Sequence, residues 1–305
     1  MVKLDDQVLR RLQLIELEIL IEIDRICRKN KIHYSLTGGT LLGAVRNGGF
    51  IPWDDDADIS MLRSEYRKFQ DACKTDLDQT RFYFQDIENT KGYRWGYGKV
   101  RRKHTLFLRE NQEHMPYEQG VFVDIFPRDG IPDGFIQNRI HTFCCFVMRK
   151  IMWAPIGKVV AENHCKEIIY TMLSMIPEKD VKRMYGILVK KSNKNEHTKW
   201  VRALTFPLPN HQIGYRRCWY KKYTQIEFEQ KKFMVQSSYA KWLKAEFGDY
   251  MKLPPAEKRK VHPATQLKLI DVEEQNEYEY SIADSGRKKC KNEYGDSKTV
   301  SAYQK

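Results

Sequence analysis

Asp54, Asp55, Asp56 and Asp58 stand within five positions of one another, directly after a segment with five glycines. On a β-strand, side chains two residues apart face the same side. If the extended backbone reaches back past Asp56, then Asp54, Asp56 and Asp58 line one face. Asp55 is expected to point away into solvent. Carboxylates this close repel one another unless a divalent cation lies between them, so the segment predicts a site for Mg²⁺ or Mn²⁺.

A fifth aspartate, Asp124, lies in the apolar segment "GVFVDIF", which has the composition of a strand. An ionised carboxylate among apolar side chains is costly unless a metal or a hydrogen-bond donor compensates its charge. We therefore expect this strand to lie beside the strand of Asp58. Asp124 would then complete a metal site with Asp54, Asp56 and Asp58, and we interpret Asp56, Asp58 and Asp124 as its catalytic members.

Gly38 and Gly39 stand between a predicted strand and a short predicted helix. Backbone N–H groups at such a helix start can bind a phosphate, and glycine permits the close approach. Each motif alone is more often an ordinary turn or a solvated loop. Together, the Gly-Gly turn, the Asp-x-Asp strand and the later strand aspartate follow the order of a metal-dependent nucleotidyltransferase, in which two cations clamp phosphates during in-line displacement.

The elements that must position these residues alternate between helix and strand through the first 130 residues. Apolar spacings of three and four predict a helix over residues 5 to about 29. A short helix is expected over 40–46, and Ser64 is the expected N-cap of another. The fold class is therefore α/β (α+β), with a nucleotidyltransferase-like mixed sheet, flanking helices and a helical C-terminal half. Its strands are expected in "IHYSLT", "DADISML", "RFYFQDI", "YGKVRRKHTLFL", as a hairpin, and "GVFVDIF".

The pattern becomes mainly helical after a Pro- and Gly-rich break near residue 130. We therefore predict a catalytic core at 1–130, a mainly helical region at 131–272 that completes the domain, and a disordered polar tail at 273–305. The expected helices lie near 135–153, 162–176 and 179–192, followed by one that Ser237 or Ser238 caps.

The chain of 305 residues carries 53 basic against 40 acidic residues, a formal net charge of +13. Such an excess attracts anions, whether nucleic acid, nucleotide or an anionic membrane surface. We rank a nucleic-acid-binding module well below an enzyme, because no zinc-finger or RRM signature accompanies the charge. Seven cysteines without a CxxC pair and the lack of a signal-peptide pattern predict a cytoplasmic protein.

The most apolar region, Ile140 to Val160, is interrupted by His141, Arg149, Lys150 and Lys158 and is too short to span a membrane. It lies within a basic, aromatic-rich stretch at 135–176. Such a basic, aromatic-rich stretch has two interpretations. It packs as the core of a helical subdomain, which is the commoner arrangement, or it lies peripherally on the inner face of the cytoplasmic membrane.

Three segments of the chain resemble the signature of the LicD family of phosphotransferases, which includes the fukutin-type proteins. They are "LTGGTLLGAVRNGGFIPWDDDADISMLRSEYRKF", "GVFVDIFPRDGIPD" and "FGDYMKLPPAEKRKVHP", and the resemblance spans about residues 5–265. It implies transfer of a phospho-alcohol from a CDP-activated donor to a glycan, with release of CMP. CDP-choline is the favoured donor, and a cell-surface glycan or its lipid-linked oligosaccharide precursor is the implied acceptor.

The resemblance also implies roles for individual residues. Asp56 and Asp58 match the metal ligands, Asp54 a third, and Asp124 the acidic strand of the family. Gly38, Gly39 and Arg46 fall in the substrate-binding loop, to which we add Thr40. Asn47 stands where many members have histidine, which leaves the general base unassigned.

Two further groups of side chains bear on the implied substrates. Lys99, Arg101 and Lys103 share one strand face if alternation holds, where they meet the diphosphate of the donor or form an ordinary solvated edge strand. Trp53, Trp95 and Tyr97 offer an aromatic surface for a choline cation, although packing is the commoner role of Trp53.

Other reactions stay open at this point. The chain can transfer ribitol phosphate or glycerol phosphate from the corresponding CDP-alcohol. It can also be a true nucleotidyltransferase, in which attack falls on the α-phosphate and pyrophosphate leaves.

Overall fold

A computed structural model of the protein describes residues 4–208, 213–255, 257, 259 and 261–270. The predicted tail at 273–305 lies outside the described residues. The helices are α1 (Asp6–Lys29), α2 (Gly38–Asn47), α3 (Arg63–Asp76), α4 (Phe135–Gly157), α5 (His164–Ser174), α6 (Glu178–Ser192) and α7 (Tyr239–Phe247). The strands are β1 (Ser35–Leu36), β2 (Ala57–Leu62), β3 (Phe82–Gln85), β4 (Gly98–Arg102), β5 (Leu106–Arg109), β6 (Phe122–Ile131), β7 (Trp200–Arg202), β8 (Tyr215–Arg216), β9 (Tyr223–Phe228), β10 (Lys231–Gln236) and β11 (Ala264–Lys268).

The central sheet has the strand order β1-β2-β6-β4-β3, and β7 and β8 continue from the far end of β6. β2 and β6 run parallel, whereas the other pairs of this sheet are antiparallel. Every residue of β6 is buried. The α+β class and the predicted neighbourhood of the Asp58 and Asp124 strands are confirmed.

The first helix covers this sheet, and its predicted bounds are confirmed within one residue. Asp5 caps it by accepting a hydrogen bond from the Val8 N–H at 2.9 Å. The apolar stripe is excluded from solvent because three- and four-residue spacings place it on one face. Leu12, Ile15, Ile19, Ile23 and Ile26 are all 0% exposed.

Two local predictions around β4 are wrong. β4 and β5 do not form a hairpin, because β4 pairs with β6 and β3 while β5 pairs with β11. The solvated edge strand is also excluded for β4, which lies between two neighbours and is buried along its length. Ser64 is not the cap of α3, which begins one residue earlier at Arg63 with Leu62 as its N-cap.

The antiparallel pair β9–β10 was not predicted, and its turn explains why. Glu229 and Gln230 form the two-residue connection with φ values of 51° and 59°. Such turns usually hold Gly or Asn, which tolerate a positive φ. Here Glu229 is fixed by its ion pair with Arg10 at 2.6 Å and by accepting the Phe50 N–H at 3.0 Å. Distant contacts therefore stabilise a turn that has no local signal.

The helical region packs α4 and α6 around one apolar cluster that includes Cys145, Met148, Ile151 and Val181. The described helices lie close to the predicted ones, with α4 four residues longer than expected. The division at residue 130 stays a prediction, and β6 runs across that position.

His141 supplies a pH dependence of stability. It is 7% exposed, and its Nε2 lies 2.8 Å from Ser192 Oγ. Burial, followed by the charge of Arg202, lowers the pKa of His141 to about 4. Because the native state binds this proton less readily than the unfolded chain, the contribution is complete above about pH 6.5 and is lost as the pH falls toward 4.

Between pH 7 and pH 4, we expect protonation of His141 to lower the free energy of unfolding by on the order of 3 kcal/mol, at about 1.4 kcal/mol per pKa unit. Urea unfolding at both pH values measures it. His141→Asn is expected to flatten that part of the profile, and the exposed control His164→Asn is expected to leave it unchanged. An unaltered profile in His141→Asn contradicts the assignment.

Candidate active site

Asp58 and Asp124 stand side by side at the centre of the sheet. They are direct partners in the parallel register of β2 and β6. Burial, followed by the negative charges of Asp56, Asp124 and Asp54, raises the pKa of Asp58 well above its usual range. The four predicted carboxylates therefore lie close enough to repel one another, which a bound cation would relieve.

The Gly-Gly turn packs directly against this acidic group. A Cβ atom on Gly38 would lie 2.7 Å from Asp58 Oδ2, and one on Gly39 would collide with Asp54 Oδ2. Gly38 also has a φ of +58°, in the left-handed region that favours glycine. The first turn of α2 and the carboxylates thus form one site, because glycine lets them approach.

Thr40 and Arg46 contact the same loop from α2. The Thr40 hydroxyl is buried and accepts the Asp58 N–H at 2.8 Å, so it holds the start of β2. The positive charge of Arg46 opposes the rise in the pKa of Asp54, which burial and the charges of Asp56 and Asp55 cause. Arg46 Nη1 also donates to Tyr250 O at 3.4 Å.

Asp55 is not solvated, contrary to expectation. It is 1% exposed and accepts two hydrogen bonds from His262, from the backbone N–H and from Nδ1, each at 2.9 Å. The strand begins only at Ala57, so the alternation of an extended strand does not govern Asp54 to Asp56. Instead the loop is held by its contacts, including Gln13 Nε2 donating to Asp54 O at 3.0 Å.

Within the described part of the chain, the three side chains close enough to share one cation are Asp55, Asp56 and His262, with ligand atoms within 4.8 Å of one another. This group overlaps the predicted ligand set at Asp56 only. Arg109 Nη2 lies 3.2 Å from Asp56 Oδ2. β5 and β11 bring Arg109 and His262 here, since Arg109 pairs with Ala264 across the two strands.

Lys99 and Arg101 on β4 point into the protein with different partners. Lys99 forms a buried ion pair with Asp124, and its ammonium lies 3.3 Å from the ring centre of Phe122. Burial is the largest influence on Lys99 and lowers its pKa to about 7. Arg101 donates to Gln85 Oε1 at 2.8 Å and to Gly120 O at 2.6 Å. Lys99 therefore belongs to the acidic group, whereas Arg101 supports the sheet.

A cavity of about 240 Å³ opens beside Gly38, Gly39 and Asp58. Arg128 lines it and is 7% exposed, with Nη2 donating to Thr37 Oγ1 at 3.2 Å. Its buried Nε has no hydrogen-bond partner among the described residues. A helix start and a buried guanidinium thus face one cavity, which suits a phosphate.

Glu16 is a further charged residue that the sequence reasoning missed. It is 1% exposed in the apolar stripe of α1, and neither carboxylate oxygen has a hydrogen-bond partner among the described residues. Burial, then the charges of Asp56, Asp55 and Asp54, raises its pKa well above the usual range. The sequence does signal this residue, because an acidic side chain stands in the apolar stripe between Ile15 and Ile19. Local spacing gives no such signal for His262, Arg109 or Arg128.

Comparison with known proteins places this site in a family. The family model described as "LicD/FKTN/FKRP, nucleotidyltransferase domain" matches residues 31–149. The lipopolysaccharide cholinephosphotransferase LicD of Haemophilus influenzae is 30% identical over 271 residues, which cover 86% of this chain and 98% of that protein. An uncharacterized protein of Rickettsia prowazekii is 27% identical over 121 residues, 40% of this chain and 41% of its own. One of Rickettsia typhi is 42% identical over 53 residues, 17% of each chain.

These similarities show that the protein is a phosphotransferase enzyme. It belongs to the LicD family, and the predicted resemblance is confirmed.

Proposed function

We propose that the enzyme transfers phosphocholine from CDP-choline to a hydroxyl of a lipopolysaccharide-type surface glycan or its lipid-linked precursor, with Mg²⁺ or Mn²⁺ and release of CMP. The paired Asp58 and Asp124 beside the Gly38–Gly39 helix start carry the proposal. The printed activity of the Haemophilus influenzae relative supports choline phosphate and lipopolysaccharide as the substrates.

In the proposed reaction, the acceptor oxygen bonds to the phosphorus that carries choline. The bond from that phosphorus to the bridging oxygen breaks, CMP leaves with the electron pair, and the hydroxyl proton passes to solvent or base. The N–H groups of Gly38 and Gly39 and the guanidinium of Arg128 would bind the donor's phosphates, because these residues line one cavity with Asp58.

A divalent cation fits the chemistry of the acidic group. Asp54, Asp56, Asp58 and Asp124 offer the oxygen ligands that Mg²⁺ prefers, and burial with mutual repulsion makes Asp54 and Asp58 hard to ionise without compensation. When bound, the cation would neutralise charge on the transferring phosphoryl group. Lys99 would hold Asp124 in place through its ion pair, and Thr40 would hold Asp58.

Product analysis tests the reaction. Purified protein with Mg²⁺ is incubated with CDP-choline, CDP-ribitol or CDP-glycerol, with and without glycan, and CMP and the modified glycan are measured. We expect CMP release that depends on the cation and is greatest with CDP-choline. Pyrophosphate release from CTP would instead indicate nucleotidyl transfer, and no turnover of any CDP-alcohol would reject the donor.

We further propose that the enzyme contacts an anionic membrane surface, where a lipid-linked acceptor would be presented, through an apolar face of α4 and α5. No helix in the described ranges combines the length and apolar character needed to cross a membrane. The two helices pack together, yet α5 buries none of its residues. Core packing thus accounts for only one side of α4. The exposed face comprises Phe135, Ile136, Ile140, Phe143, Ile168, Ile169 and Met172.

Basic residues lie on the same two helices, among them Arg139 on α4 and Lys166 on α5, which pairs with Glu162, and basic residues are expected on an interfacial helix. We expect the wild type to float with vesicles that contain anionic lipid. The double variant Phe143→Ser/Met172→Ser is expected to float severalfold less, as is Arg139→Gln/Lys166→Gln. Met251→Ser, at an exposed methionine elsewhere, is the matched control. If the wild type does not float with these vesicles, the proposal is contradicted.

A further inference from the structure

A second cavity, of about 400 Å³, adjoins the cavity of the candidate active site. The two share Phe206 and Pro207 in their walls. The remaining walls come from residues 94–97, which precede β4, from residues 149, 150, 152 and 153 in the last turns of α4, and from Thr205. A ligand held here would therefore lie next to one held at Gly38 and Asp58.

Aromatic side chains form much of this second cavity. Trp95 and Trp153 meet edge to face with their ring centres 5.6 Å apart, and the Trp95 indole N–H donates to Tyr117 Oη at 3.0 Å. Tyr97 and Phe206 form a similar contact at 6.3 Å. Packed in this way, the rings present fixed apolar surfaces, which suit the C–H faces of a sugar ring.

The cavity is also cationic. Arg94, Arg149 and Lys150 line it, and its described lining contains no carboxylate. Arg94 is 8% exposed and donates to two neutral carbonyls, from Nη2 to Ile151 O at 3.3 Å and from Nη1 to Ser174 O at 3.5 Å, while its buried Nε has no hydrogen-bond partner among the described residues. A buried charge with so few partners is costly, and an anionic ligand would compensate it.

We propose that this cavity binds an anionic sugar of the acceptor glycan, one that carries a carboxylate or a phosphate. The inference rests on the proposed function, because it places the acceptor beside the donor's phosphates. Choline is disfavoured here, since three cations repel it, although Trp95 and Tyr97 were candidates for that role. The third candidate, Trp53, lies under Arg259, with the guanidinium carbon 4.7 Å from its ring centre.

Equilibrium binding tests the cavity without catalysis. The probe is the soluble oligosaccharide obtained by removing the fatty acids of lipopolysaccharide, which keeps the acidic sugars and phosphates; neutral maltotriose is the comparison. Binding is read by isothermal titration calorimetry, because Trp153→Ala removes one of the two tryptophans whose fluorescence could report it. Arg149→Gln and Trp153→Ala are expected to raise the Kd about tenfold, equal to about 1.4 kcal/mol. Arg183→Gln, at an exposed arginine on α6, is expected to leave it unchanged.

The outcomes separate this inference from the proposed function. Unchanged binding in folded Arg149→Gln and Trp153→Ala, or equal affinity for maltotriose, overturns the assignment. Displacement of the oligosaccharide by CDP-choline also overturns it, because the cavity would then hold the nucleotide. In turnover, we expect both variants to raise the KM for the acceptor and to keep the acceptor-free release of CMP. If no CDP-alcohol reacts but the variants still weaken oligosaccharide binding, the donor assignment fails and the glycan site stands.

Discussion

Asp58→Asn is expected to reduce the proposed phosphocholine transfer roughly a thousandfold or more, equal to about 4 kcal/mol of transition-state stabilisation. The reason is that Asp58 is paired with Asp124 and lies against the Gly38 turn, so the change replaces one carboxylate oxygen and removes the negative charge of a proposed metal ligand. The initial rate of CMP release at saturating donor measures it.

The same variant is expected to melt at a higher temperature than the wild type in the absence of cations. Burial and neighbouring carboxylates raise the pKa of Asp58, so the native state favours its protonated form. Stability is therefore present at low pH and falls as the pH rises toward the native pKa. The neutral amide of Asp58→Asn does not ionise, so the variant keeps this stability at neutral pH. In the wild type we expect Mg²⁺ or Mn²⁺ to raise the Tm, and in the variant we expect no such increase.

Asp71→Asn is the control, because Asp71 is 73% exposed in a surface pair with Lys74. It is expected to retain both the activity and the thermal response to the cation. Full transfer activity in Asp58→Asn would remove Asp58 from the catalytic group. If neither cation changes the Tm of the wild type, the result would contradict the proposed metal site.

Asp129→Ala is expected to cost about 3–5 kcal/mol of unfolding free energy. Asp129 is 0% exposed and accepts two hydrogen bonds from Arg63, from Nε and Nη2, each at 2.7 Å. Asn193 Nδ2 donates to the same carboxylate at 2.6 Å. Truncation leaves the buried Arg63 charge without its main partner, and urea unfolding at pH 7 measures the loss.

The double variant Arg63→Met/Asp129→Leu is expected to be less destabilised than Asp129→Ala, because it removes both charges together. Asp71→Ala, which breaks the exposed pair with Lys74, is expected to change stability little. Equal losses in Asp129→Ala and the double variant would show that packing, rather than the unpaired charge, accounts for the cost.

The sequence predicts the centre of the candidate site because its signals are local or periodic. Asp124 stands among apolar residues, which predicts a functional residue on a buried strand. The Asp-x-Asp spacing predicts that Asp58 lies on a second strand. The parallel register then puts these two residues opposite each other. Gly38 and Gly39 are recognisable because close approach to other atoms demands glycine.

The periphery of the site is set by contacts between distant parts of the chain, which periodicity does not encode. His262 reaches Asp55 across 207 positions, and its segment has no helix or strand pattern that points there. Arg128 is one of the buried residues of β6, and only the cavity that it lines indicates a role for it. The β9–β10 turn is similar, since Arg10 and Phe50 stabilise the positive φ of Glu229.

The bond between Asp55 and His262 has a consequence for the order in which the enzyme is made. A ribosome releases the chain from its N-terminus, so the aspartate loop and the central sheet emerge long before His262. Until then, Asp55 lacks the partner that encloses it. The nascent protein can assemble its sheet early, but its acidic site reaches its final form only after His262 has been synthesised, 207 residues after Asp55.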